Sequence, residues 1–254
     1  MERFRDKPGT ALTCLSERKP VAVRAQPQLP PLGVLDPSET EAVLLALTRL
    51  MEQRDPHTAA HCERLAYTGV AMGMAMHLDH DSLQTLYIGG SLHDIGKVAI
   101  PDSILFKPGK LTIEEWRTMR AHPVLGEEVC RPLPALRKAL PLIRHHHERW
   151  DGSGYPDGLR GDDIPLLARV LQLVDIYDAL TNPRSYRGAS SSAHALQILE
   201  EETERGWRDP ELTALFVHMH RHVFSGAGYY PVVAESPSDS IDTSLQNLRT
   251  YMAG

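Results

Sequence analysis

The 254-residue chain has only three cysteines, Cys14, Cys62 and Cys130, an odd number spread widely along it. That usage fits reduced thiols and excludes a disulfide framework. Positive charge is not in excess: the formal net charge is -6, so nothing attracts a nucleic acid polymer in general, and an anionic substrate needs a local positive centre. No apolar run approaches the roughly 18 residues of a membrane span, and "MERFRDKPGT" lacks the apolar stretch of a signal peptide. A soluble, cytoplasmic protein without membrane contact is expected. Period-two alternation is almost absent, so strands should be few. No Ser-His-Asp or Cys-His pattern offers a side-chain nucleophile, and nothing beside Cys62 or Cys130 in the sequence activates a thiol.

What is present is helical rhythm. A hydrophobic content of 42% supports one large domain with tails. Residues 1–35, with Pro8, Pro20, Pro27, Pro30 and Pro31 among scattered charges, read as a disordered leader. "LDPSETEAVLLALTRLM" then starts a helix, with Asp36 as cap, Pro37 in the first turn and Glu39 closing a capping box. Asp55 and Pro56 open a second. Further helices are expected over 82–95, after the Thr112/Glu115 capping box, and over 134–147, 166–181, 193–205 and 210–224. The break in this rhythm is "ERWDGSGYPDGLRGDDIP", a long glycine-rich loop of the kind that carries function in compact domains. Residues 36–233 are thus expected to form an all-α domain, and 234–254 a loose tail.

The thirteen histidines matter by placement. His57 and His61 share one helical face. His93 and Asp94 are adjacent inside the apolar stretch "SLHDIGKVAI", as are His146 and His147 further on; His122 opens "HPVLG", and Asp175 sits inside "VLQLVDIYDAL". Burying polar groups costs free energy unless they are partnered. A single buried histidine is usually a satisfied core residue, but several independent helices each presenting such a group point to cations. Nitrogen with carboxylate oxygen suits iron, manganese, zinc or cobalt. A carboxylate such as Asp94 can bridge two ions about 3.5–4 Å apart. The triplet "HMHRH" at His218, His220 and His222 reads instead as an exposed helix face.

"HDIGK", "IPDSILFKPGKLTIEEWRTMRAHPVLGEEV", "HHERWDGSGYPDGLRGDDIPLLARVLQLVDIYDALT" and "RSYR" closely resemble the HD-GYP family of bacterial phosphodiesterases, over about Glu41 to Phe224. The resemblance implies that residues 36–233 are a catalytic domain, an all-α HD-superfamily helical bundle with a metal centre in its core, which hydrolyses cyclic di-GMP to the linear dinucleotide pGpG, with onward cleavage to GMP left open. It implies His61, His93, Asp94, His122, His146, His147 and Asp175 as metal ligands and Lys97 as the motif lysine at the centre. Arg184 and Arg187 would contact substrate. Tyr155, in the intact Gly154-Tyr155-Pro156 tripeptide, either contacts a guanine or packs the loop, a loop also implicated in docking diguanylate cyclase domains. Asp178, three residues after Asp175, is expected behind the ligands.

Two departures stand out. His57 occupies the place of a glutamate in three-metal members, and Ser185 replaces the proline of the family's usual Arg-Pro-Tyr-Arg. Two divalent ions, iron, manganese or a similar metal, are therefore expected without a third, leaving His57 behind the ligands or without a role. Hydroxide made at neutral pH would attack in line with the departing 3′-oxygen, with Lys97 neutralising developing charge. The alternatives are an HD phosphohydrolase for another cyclic dinucleotide, or a receptor that binds without cleaving.

Overall fold

A computed structural model describes residues 37–182 and 189–222. The first two helices are α1 (Pro37–Arg54) and α2 (Pro56–Ala75), each starting on a proline whose missing N–H would be unpaired there anyway. α3 (His80–Leu92) is capped by Asp79, whose side chain accepts from the Ser82 N–H at 2.8 Å. A 3-10 turn (Ile95–Ala99) and the short α4 (Asp102–Leu105) follow. Thr112 and Glu115 form the expected capping box of α5 (Ile113–Met119). Next come α6 (His122–Cys130), α7 (Leu140–His145), α8 (Leu166–Thr181), α9 (Ser192–Glu204) and α10 (Pro210–His222). No strand occurs among the described residues, so the all-α expectation holds. No helix among them is long and apolar enough to cross a membrane.

Two helices are shorter than their sequence pattern. The expected 82–95 helix ends at Leu92: His93 is its cap, and Asp94 turns out of helical geometry at φ -94° and ψ 4°. The expected 134–147 helix splits into a 3-10 turn (Pro134–Ala139) and α7, since Pro141 has no N–H to continue the ladder across the join. The Asp36 cap, the leader 1–35 and the tail 234–254 lie outside the described residues.

α2, α3 and α8 form the centre, burying Leu65, Val70, Leu86, Leu92, Leu171 and Val174 against one another. Each such side chain taken from water contributes about 1.5–3 kcal/mol. α9 and α10 close over α8, with Phe216 fully buried. α6 packs on the 3-10 turn at Ile95–Ala99 so closely that a Cβ on Gly96 would collide with the His122 carbonyl and the Gly126 N–H. That contact brings the His93–Asp94 pair to the start of α6. Arg54, at the end of α1, donates to the carbonyls of Val98 (2.7 Å) and Ile100 (2.6 Å) and so ties down the same turn.

Candidate metal centre

Three histidines here share one local device. The Nδ1–H of His93 donates to the Gly90 carbonyl at 2.9 Å, that of His122 to Met119 at 2.8 Å, and that of His146 to Ile143 at 2.7 Å. Each acceptor lies three residues back, in the last turn of the helix that precedes the ring, so local backbone fixes its tautomer. The Nε2 atoms are left facing inward. His122 Nε2 and His146 Nε2 stand 3.3 Å apart, and buried His93 Nε2 has no hydrogen-bond partner. With both Nδ1 atoms carrying the proton, two lone pairs are aimed at each other, an arrangement that a cation between them relieves.

Asp94 connects the groups. Its Oδ1 lies 3.3 Å from His122 Nε2, and its Oδ2 lies 3.4 Å from His93 Nε2 and 2.6 Å from Lys97 Nζ. His61 on α2 and Asp175 on α8 close one side, Nε2 to Oδ1 at 3.1 Å. His147 closes the other, its ring 4.1 Å from that of His146 and 5.0 Å from that of His122. Two sets can hold an ion, His61 with His93 and Asp94, and His122 with His146 and His147. All seven residues singled out as candidate ligands therefore come together from α2, the end of α3, the start of α6, the end of α7 and α8.

Electrostatics divide the histidines. Burial pushes His122 and His146 down, and His147 to about 3, keeping their nitrogens neutral and free to coordinate. For His61 burial is overridden by Asp175 and Asp178, and for His93 by Asp94 and the Cys62 sulfur, so both are raised. Asp94 resists burial through Lys97 and His93, and Asp175 through His61, which holds both well below the usual carboxylate range.

Behind His61, Asp178 accepts from Nδ1 at 2.6 Å, as its position after Asp175 suggests. Arg64 Nε (2.6 Å) and Asn182 Nδ2 (2.8 Å) donate to the other carboxylate oxygen. Nothing in the sequence singles out Arg64 or Asn182. Arg64 lies one turn after His61 on α2, a placement that becomes meaningful only once Asp178 is known to be opposite. Cys62 Sγ, whose neighbours in sequence suggest nothing, sits 3.8 Å from His93 Nδ1; burial raises its pKa and keeps it a thiol. Glu148 is also new: fully buried, its Oε1 accepts from the N–H groups of Asp157 (2.7 Å) and Gly158 (3.1 Å). This anchors the glycine-rich loop, as does the Tyr155 N–H donating to the His147 carbonyl at 3.2 Å. A Cβ on Gly154 would run into the Glu148 and Arg149 backbone. Tyr155, followed by a cis peptide bond to Pro156, lays its ring 4.8 Å from that of His147.

His57 lies in the first turn of α2, and its side chain is outside the described residues, as are Arg184 and Arg187. His218 is exposed as expected, but His220 turns inward, 4.2 Å from the Tyr177 ring and 4.4 Å from that of Phe216, because that face of α10 covers α8. A further group, His145, Glu148 and Asp157, lies nearby, but Arg144 already holds Asp157 through two hydrogen bonds of 2.7 and 2.9 Å.

Among the described residues, an all-helical core sets one carboxylate between two groups of imidazoles that are able to hold metal ions. The HD-domain family matches residues 46–212. A probable cyclic di-GMP phosphodiesterase of Vibrio cholerae is 42% identical over 186 residues, 66% of this chain and 41% of the relative. A 3′3′-cGAMP-specific phosphodiesterase 3 of the same organism is 37% identical over 207 residues, 81% of this chain and 44% of the relative. Among solved structures, a cyclic GMP-AMP-specific phosphodiesterase of V. cholerae superposes with a TM-score of 0.54 at 20% identity, over 82% of this chain and 53% of that one. The chain belongs to the HD-domain family, and its likeness to the HD-GYP phosphodiesterases is borne out. It spans less than half the length of the two sequence relatives.

Proposed function

We propose that residues 36–233 form the catalytic unit of a metal-dependent phosphodiesterase that opens a guanine-containing cyclic dinucleotide, cyclic di-GMP first, to its linear form. The observation that carries this reading is the approach of the His93 and His122 Nε2 atoms to a shared Asp94, with His146 Nε2 beside that of His122. His61, His93, Asp94, His122, His146, His147 and Asp175 would hold two divalent ions, iron or manganese by donor chemistry. When bound, such ions supply Lewis acidity toward the phosphate oxygens and lower the pKa of water enough to furnish hydroxide at neutral pH.

The chain's own residues do the rest. Asp94 keeps the two halves of the centre in register, and Lys97, pinned to its Oδ2, sets a positive charge where the phosphorane develops negative charge. Asp178 and Arg64 orient His61. Tyr155 walls the site beside His147. Arg184 and Arg187, following α8, are assigned to the substrate phosphates on family resemblance, and docking of a diguanylate cyclase domain on the Gly154-Tyr155-Pro156 loop rests on the same footing. A cytoplasmic setting agrees with substrates of this class. A hybrid cyclic dinucleotide is the second reading, favoured by relatives named as 3′3′-cGAMP-specific. A receptor without catalysis is disfavoured because no candidate ligand is missing.

The test is anaerobic purification with metal analysis, then chromatography of the products from cyclic di-GMP and 3′3′-cGAMP. Two ions per chain and a linear dinucleotide are expected, with Asp94→Ala losing both metal and turnover. An Asp94→Ala protein that keeps full metal content and activity overturns the assignment.

A further inference from the structure

At the mouth of the centre, stacked side chains lead from the imidazoles to solvent. The His147 ring faces that of Tyr155; the Arg120 guanidinium stands over the other ring, 5.1 Å from its centre, and 6.0 Å from that of Trp116. Both separations lie within cation–π range. Trp116 is 49% exposed, unusual for so large an apolar side chain, and Arg120 is exposed too. No carboxylate among the described residues pairs with Arg120, whereas Lys97 is held by Asp94 and Arg144 by Glu127 and Asp157; Arg149, the other cation beside Tyr155, lies over the Trp207 ring, 3.9 Å from its centre. The Arg120 backbone is also held in place. It caps α5, its N–H bonded to the Trp116 carbonyl at 2.9 Å, and it precedes His122 by two residues.

We infer that Arg120 is a specificity-determining residue that reads the N7/O6 edge of one guanine of the substrate. The inference rests on the function proposed above. A guanidinium held by aromatic rings still has its N–H fork free at the rim, and that fork matches two adjacent acceptors. Guanine presents two, N7 and O6; adenine in the same place presents one acceptor beside an amino donor, which an arginine cannot satisfy. Scissile-phosphate binding belongs to the metal centre and Lys97, so a cation one ring further out falls where a base attached to that phosphate would lie. Arg120 therefore favours cyclic di-GMP and the hybrid over cyclic di-AMP without touching the reacting atoms.

The experiment compares the holoenzyme with Arg120→Ala and Arg120→Lys. Readouts are KM and kcat for cyclic di-GMP, 3′3′-cGAMP and cyclic di-AMP, calorimetric binding of the same nucleotides, metal content, and hydrolysis of bis(p-nitrophenyl) phosphate, which has no base. Arg120→Ala should raise KM and Kd for cyclic di-GMP about tenfold or more, the range of one bidentate base contact. It should leave kcat within twofold, metal content and the base-free reaction unchanged, and cyclic di-AMP binding nearly unaffected. Arg120→Lys, keeping charge but not the fork, should not restore affinity. Unchanged KM and Kd, an equal loss for all three nucleotides, or a fall in metal content or base-free hydrolysis overturns the inference. Parent protein that binds cyclic di-GMP through Arg120 without hydrolysing it would overturn the proposed function alone; parent that neither binds nor hydrolyses it would overturn both.

Discussion

At the scale of single residues, the candidate centre is oriented by groups outside the candidate ligand set. Asp178 holds His61 Nδ1, and Arg64 and Asn182 hold Asp178 in turn. Partners of this kind typically set metal affinity by 10–100-fold. Arg64→Ala should therefore weaken metal binding by about that factor while leaving the helical far-UV spectrum intact, as read by competition with a chelating dye; unaltered affinity would show that Asp178 orients His61 unaided. His57 allows a charge argument. A third cation beside two others is repelled, and a neutral imidazole offsets that less than a carboxylate would. Two tightly held ions are expected in the parent and a third in His57→Glu, with faster cleavage of the linear product. Three ions in the parent would sink this expectation.

Among elements, the 3-10 turn at Ile95–Ala99 and the glycine-rich loop do the positioning. Gly96 lets the turn rest on the backbone of α6, so Gly96→Ala must drive those segments apart. At an overpacking cost of about 2–3 kcal/mol, the thermal midpoint should drop by roughly 5–10 °C, with reduced metal content because His93 and His122 separate. Gly154→Ala acts differently. It lifts the loop off the Glu148 backbone, so differential scanning should find a smaller loss of stability, and kinetics a rise in KM through displaced Tyr155.

Segments with uninterrupted period and sound caps were legible in advance: α8 has the expected bounds, and the Thr112/Glu115 box is present. Apolar periodicity continues through Ile95, so the sequence pattern extends α3 beyond Leu92, where the backbone leaves the helix to present His93 and Asp94. His93, Asp94 and Asp175 are legible because polar groups in apolar runs stand out, whereas the full set of seven ligands follows from the resemblance to the HD-GYP motifs. Arg64 and Glu148 do not stand out, since a charged residue on a helix looks like solvated surface until its partner, 114 residues away for Arg64, is brought beside it.

Over the whole molecule, the candidate ligands span His61 to Asp175, and the ions would join α2, α3, α6, α7 and α8. A cation bound only by the folded state stabilises it by mass action, about 1.4 kcal/mol per tenfold excess over Kd. Chelation should thus lower the thermal midpoint, and titration with manganese should raise it progressively; a midpoint indifferent to metal would mean that the ions bind elsewhere. Helicity should survive chelation, because the apolar core between α2, α3 and α8 contains no ligand-dependent contact. The backbone bonds of His93, His122 and His146 carry this further. Each ring is aimed by the carbonyl three residues before it, so aim is inherited from local chain geometry and needs no ion to impose it. If the proposed function holds, ions should therefore leave and return without a refolding lag, with turnover recovering as fast as metal rebinds.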